Sequence, residues 1–138
     1  MFQLHERLAA DTIEVVDWPL CRVLLMNDAN YPWLILVPRR MAVTELHELD
    51  AGDRATLVEE VADASRRLQN MTKANKMNVA ALGNVVPQLH VHVIARFPGD
   101  AAWPRPIWGV VPTRPYGEEE LAEMLAALRA ALAATAPS

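Results

Sequence analysis

Residues 87–96 read PQLHVHVIAR, and the alternation inside them is the strongest constraint in the chain. Side chains along a β-strand point to opposite faces in turn. Leu89, Val91 and Val93 therefore share one face and belong in a core. Gln88, His90 and His92 share the other. Two imidazoles side by side on a strand face are costly to bury without partners. Three readings are open: satisfied histidines on a sheet face, two ligands of a metal ion, or a histidine pair that does chemistry.

The surrounding sequence describes a folded protein of modest size. The chain has 138 residues, 52% of them hydrophobic and 22% charged. That length suits one domain over 1–138 with a real core. Thirteen basic and 17 acidic side chains leave a net charge of −4. Nucleic-acid binding rests on basic patches and is not expected. A small phosphate-bearing ligand needs only local positive groups. Arg39, Arg40, Arg96 and Arg105 are candidates. Cys21 is the single cysteine, so neither an internal disulfide nor a cysteine-based zinc cluster is possible. It reads as a small core residue. The start, MFQLHERLAADT, carries acidic residues and no apolar core, unlike a signal peptide. The longest apolar runs, Leu34–Val37 and Val79–Leu82, fall far short of a membrane span. A cytoplasmic protein is expected.

The order of elements points to α+β. TIEVVDWPLCRVLLMND reads as extended chain ending in a turn at Asn27-Asp28. Pro32 and Pro38 bracket a strand at Trp33–Val37, and the two runs suggest an antiparallel hairpin. A long helix follows, capped by Asp50 or Asp53, with Leu57, Val58, Val61, Ala64, Leu68 and Met71 on one apolar face. Glu59, Glu60, Arg66 and Arg67 fall largely opposite, and His47 lies in the lead-in. KMNVAALGNVVPQLHVHVIARF reads as two more strands joined by a tight Gly83-Asn84 connection. Residues 98–116, rich in proline and tryptophan, form no regular element. A helix over 117–134 closes the chain, with Leu121, Leu125, Leu128 and Leu132 as its buried stripe and glutamates at its positive end. The sum is a mostly antiparallel sheet of about five strands with one long central helix and a C-terminal helix.

Two chemistries suit the histidine pair. An H-x-H strand can offer two imidazoles to one ion, but a third ligand is needed. Only His5 and His47 remain, and no carboxylate lies close in sequence. Phosphoryl chemistry asks for less. A neutral imidazole is a good nucleophile toward phosphorus when its second nitrogen donates to a fixed acceptor. A neighbouring imidazole can then stabilise developing charge.

QLHVHVI resembles the histidine triad (HIT) motif, His-φ-His-φ-His-φ-φ with φ apolar, with Gln88 in place of the first histidine. VLLMNDANYPWLILVP resembles the family's strand–turn–strand, and AWP at 102–104 its Trp-Pro segment. The likeness covers roughly residues 15–110. It implies an α+β fold, a homodimer with a sheet continuous across its interface, and a nucleotide hydrolase or transferase acting at an α-phosphorus. His90 falls at the nucleophile's position and His92 at that of the histidine contacting phosphate and leaving group. Gln88 would be a supporting residue. Asn27 stands where the family places a ribose-binding residue, Asn84 matches a common nucleotide-side Gln, and Trp103 would reach a neighbouring subunit's site. Trp33 replaces a further supporting histidine, and Val85 replaces a Ser or Thr that assists the leaving group. No resident metal is implied, although a divalent ion could accompany a polyphosphate substrate. The alternatives are a nucleotide-binding protein with little catalysis and a metal site on His90 and His92.

Overall fold

The computed structural model describes residues 1–133. Five strands, β1 (Thr12–Asp17), β2 (Cys21–Met26), β3 (Trp33–Pro38), β4 (Lys76–Ala80) and β5 (Val91–Arg96), form one sheet in the order β1-β2-β3-β5-β4. All four pairings are antiparallel. Three helices accompany it: α1 (Glu6–Asp11), α2 (Ala51–Thr72) and α3 (Glu118–Leu132), with a single 3-10 turn at Leu46–Glu48. Position 134, expected at the end of the last helix, lies outside the described residues. No helix among the described residues is long and apolar enough to cross a membrane.

Helices α2 and α3 cover one face of the sheet. Val23, Leu25, Leu34, Leu36, Val91 and Val93 point into that layer and meet Leu57, Ala64, Leu68, Leu128 and Leu132. The opposite face is covered too, by α1 and by the irregular segment after β5. Leu24, Trp33, Ile35 and Ile94 pack there against Leu8, Ala102 and Ile107. Every residue of β3 and β5 is consequently buried.

The long helix starts as its sequence demands. Asp50 is the cap, its carboxylate accepting the N–H of Asp53 at 2.8 Å. It ends on Lys73 in the left-handed region at φ 61°. Its buried face departs from the apolar periodicity. Val58 is exposed, whereas Glu60 is buried. The Glu60 carboxylate accepts the N–H groups of Leu20 at 3.0 Å and Cys21 at 2.8 Å. Two backbone donors at the start of β2 would otherwise be orphaned, which is why a charged residue belongs inside. Burial, and then the Glu60 carboxylate, push the Cys21 thiol far above its ordinary range. That makes it a core residue and a poor nucleophile.

Two further differences from the sequence expectation matter. The β4–β5 connection is not a tight Gly83-Asn84 turn but a loop over 81–90 that runs along the sheet's second face. Gln88 and His90 belong to the end of that loop, and of the pair only His92 lies within β5. Helix α1 is six residues long and lacks the apolar periodicity that would reveal it.

Arg96, the last residue of β5, is buried and ties the following segment to the sheet. Its guanidinium donates from Nε to Asp100 Oδ2 at 2.8 Å and from Nη1 to Asn78 Oδ1 at 2.7 Å. It also lies over the rings of Tyr31 and Trp103, 5.9 and 5.7 Å from their centroids. Asp100 accepts backbone N–H groups of Phe97, Ala102 and Trp103 as well. Burial alone would raise the Asp100 carboxyl; Arg96 and these amides outweigh it and hold the group well below the usual carboxylate range. Because the folded value is depressed, this stability is present above the unfolded value of 3.8 and fades on acidification below it. Removing one partner of a buried pair strands the other, so Asp100→Asn should cost about 3–5 kcal/mol near pH 7. Urea unfolding across pH should show that deficit narrowing as the pH falls below the unfolded carboxyl value.

Candidate active site

A cleft of about 480 Å³ lies on the sheet face away from α2 and α3. Its floor is His92 and Ile35 of adjacent strands, with Trp33 and Met26 beside them and His90 just ahead of β5. Helix α1 gives one wall through Arg7, Leu8 and Asp11, and the loop at 82–86 gives another. Trp108 and Thr113 approach from the irregular segment. The lining is mostly aliphatic and aromatic. Among the described residues Arg7 is its one Lys or Arg side chain, and it faces Asp11 at 3.7 Å.

His90 and His92 share this face, as the alternation requires. Each is 6% exposed, and their ring centroids are 4.9 Å apart. His90 Nδ1 lies 2.7 Å from the carbonyl oxygen of Gln88. A carbonyl only accepts, so Nδ1 carries a proton, and in the neutral ring the lone pair is then on Nε2. His92 Nδ1 lies 3.0 Å from the indole Nε1 of Trp33. Burial, and then the neighbouring His90, push His92 down to about 4.

Gln88 does not support His90 through its side chain. The amide oxygen accepts the N–H of His5 at 2.8 Å, and the amide nitrogen donates to the carbonyl of Gln3 at 2.9 Å. Gln88 thus fastens the N-terminal segment, whose His5 in turn caps α1 by accepting the Arg7 N–H at Nδ1. Only the Gln88 main chain serves His90.

The remaining sequence candidates divide. Asn84 lines the cleft and is exposed. Asn27 does not line it: its side-chain oxygen accepts the N–H of Tyr116 at 2.9 Å, stitching the β2–β3 turn to the chain before α3. Asp28 makes the same kind of stitch, accepting the N–H of Arg114 at 3.3 Å. Trp103 is off the cleft, over Arg96. Arg39 and Arg40 are engaged with Asp17 and Asp53, Arg96 with Asp100, and Arg105 lies outside the cleft wall. Among the described residues, no three His, Cys, Asp or Glu side chains stand together so as to hold a metal ion.

Thr113 is a cleft residue the sequence did not single out, and Trp108, which reads from the sequence as packing the tail onto the sheet or a partner, lines the cleft as well. Trp108 stands edge-on to His92 at 5.1 Å and to Trp33 at 6.1 Å. The proline and tryptophan content of 98–116 marked a segment that must pack somewhere. Without periodicity nothing assigned its side chains to a face.

Comparison with known proteins places this architecture. Residues 7–99 match the HIT domain. A histidine triad protein from Marinobacter aquaeolei superposes with a TM-score of 0.95 at 50% identity, covering 99% of each chain. One from Bradyrhizobium japonicum gives 0.92 at 51% identity, covering 95% of this chain and 98% of that one. One from Sinorhizobium meliloti gives 0.92 at 46%, covering 95% and 97%. No protein of curated function matches the sequence. The family match spans the hairpin, the long helix and the histidine strand, and these relatives share the whole described fold: the chain belongs to the histidine triad (HIT) family.

Proposed function

We propose that the protein is a nucleotide hydrolase or transferase of the histidine triad type, with His90 as nucleophile. The observation that carries this reading is the 2.7 Å contact between His90 Nδ1 and the Gln88 carbonyl, which in the neutral ring puts the proton on Nδ1 and the lone pair on Nε2, in a residue lining the cleft. Nε2 attacks the α-phosphorus and the bond to the leaving group breaks, its electron pair departing with that group, which takes up a proton from solvent. Water then attacks the nucleotidyl-His90, restoring the ring and releasing the nucleoside monophosphate. His92, beside it, stabilises the charge that develops on the phosphoryl oxygens. Gln88 occupies the first triad position in this reading, with its main chain rather than its side chain serving the nucleophile.

The cleft also bears on the substrate. Its apolar walls suit a flat base, and its one cation already faces a carboxylate. Several phosphate charges would go uncompensated there. A nucleoside phosphoramidate or other single-phosphoryl ester fits better than a dinucleoside polyphosphate, which would bring a divalent ion with it. With an adenosine phosphoramidate, wild type should turn over, and His90→Ala should lose at least about 10³-fold in kcat. Acid-free mass spectrometry of a rapid quench should show a nucleotidyl adduct on the wild type alone. Equal turnover by both proteins refutes the assignment of His90.

The second reading is a nucleotide-binding protein with little catalysis. Val85, 71% exposed at the cleft's edge, supplies no hydroxyl to a leaving group. Calorimetric binding of AMP without turnover of any phosphoramidate or polyphosphate selects it.

Gln88 should act on binding rather than chemistry. Gln88→Ala keeps the carbonyl but frees the N-terminal segment and the α1 wall. Two partly exposed hydrogen bonds are worth about 0.5–1.5 kcal/mol each, about 1–3 kcal/mol together, so KM should rise at least about 5-fold with kcat within about 2-fold.

A homodimer belongs to the same reading. The outer edge of β4 is unpaired among the described residues and carries Val79, 51% exposed. Light scattering should give a dimer for wild type, and Val79→Lys, a charge on that edge, should shift it toward monomer.

A further inference from the structure

The two site histidines face partners of opposite kind. His90 Nδ1 meets a carbonyl, which can only accept. His92 Nδ1 meets an indole N–H, which can only donate. A nitrogen that receives a hydrogen bond is bare. The proton of a neutral His92 ring therefore sits on Nε2, and neither the other tautomer nor the imidazolium is compatible with the Trp33 contact.

We propose that Trp33 is a positioning residue that commits His92 to its neutral Nε2–H tautomer, so that His92 serves as a fixed hydrogen-bond donor beside the lone pair of His90. Identical side chains 4.9 Å apart are thereby given complementary roles. The chemical consequence rests on the hydrolase reading; the tautomer is a property of the resting protein.

The surroundings hold the indole in place. Trp33 is 6% exposed and packs edge-on to Tyr31 and Trp108, with centroids at 6.5 and 6.1 Å. Its ring centroid is 5.6 Å from that of His92. On the strand side His92 is paired with Ile35 and Ala80, neither of which offers a polar side chain. His90 is the titratable neighbour in contact, while Arg7 and Asp11 face the cleft from α1. The lowering of His92 to about 4 by burial and by His90 agrees with a ring that stays neutral through the physiological range. Histidine at position 33 would bring a ring that can donate or accept. Tryptophan removes that ambiguity.

The test is long-range ¹H–¹⁵N spectroscopy of histidine-labelled protein at pH 7.5, with assignment by His90→Gln and His92→Gln. Wild type should show opposite tautomers, Nδ1–H for His90 and Nε2–H for His92. Nδ1–H on His92, or the same tautomer in both rings, overturns the proposal without recourse to any Trp33 variant. In Trp33→Phe, which keeps an aromatic ring and loses the donor, the His92 Nδ1 resonance should move toward the value of an unbonded nitrogen. Its protonation midpoint should rise above that of wild type, because a donor to the neutral ring is lost while burial and His90 remain. On the phosphoramidate, kcat should fall about 10-fold while KM stays within about 2-fold, a loss smaller than the full range for general acid–base catalysis. Trp33→His, with a ring N–H able to donate, should recover part of kcat. A folded Trp33→Phe with unchanged His92 resonances and midpoint overturns the proposal even if its activity is low. If no nucleotide substrate is turned over but the opposite tautomers are seen, the Trp33 assignment stands and the hydrolase reading falls.

Discussion

Burial of both faces of β5 governs this molecule. A strand covered on one side can carry polar residues on the other at no cost, and its histidines say little. Here the second face is closed by α1, the 81–90 loop and the segment carrying Ala102, Ile107 and Trp108. Each polar atom on that face must find a partner or line the cleft. Each histidine consequently has one ring nitrogen tied to a specific neighbour. The double burial that stabilises the sheet is the same constraint that gives the imidazoles their orientation.

Gln88 shows how one residue can serve two purposes through different atoms. Its carbonyl fixes His90, and its side chain fastens the N-terminal segment. A histidine there could supply the same carbonyl; the amide of Gln88 spans His5 and Gln3 with its oxygen accepting from one and its nitrogen donating to the other. The main chain of Gln88 thus serves His90 while its side chain holds a wall of the cleft. Trp33 likewise sets a rigid donor-only ring against His92.

Legibility in the sequence followed periodicity. The alternation at 88–93 placed His90 and His92 on one face and Leu89, Val91 and Val93 in the core, and the structure has them so. The hairpin, the Asp50 cap and most of the α2 face were equally readable. What could not be read depends on contacts far apart in the chain. Glu60 looks like a surface residue until two amides of β2 come to meet it. Asn27 looks like a turn residue or a ribose ligand until Tyr116 arrives from 89 positions away. Trp108 lies in a stretch without a repeat, and α1 is too short to show one. The side chain of Gln88 pointed to a supporting role, but its partners lie more than 80 residues upstream.

The cleft joins parts of very different stability. Its floor is central strand, buried on both sides and hydrogen-bonded in both directions. Its walls are a six-residue helix near the chain's start and an irregular loop, held by a few hydrogen bonds such as those of Gln88. Local opening in proteins draws on such weakly tied segments while core strands stay closed until global unfolding. Opening of the cleft is thus separable from disturbance of its floor: the walls can part and re-form while the central strands stay paired.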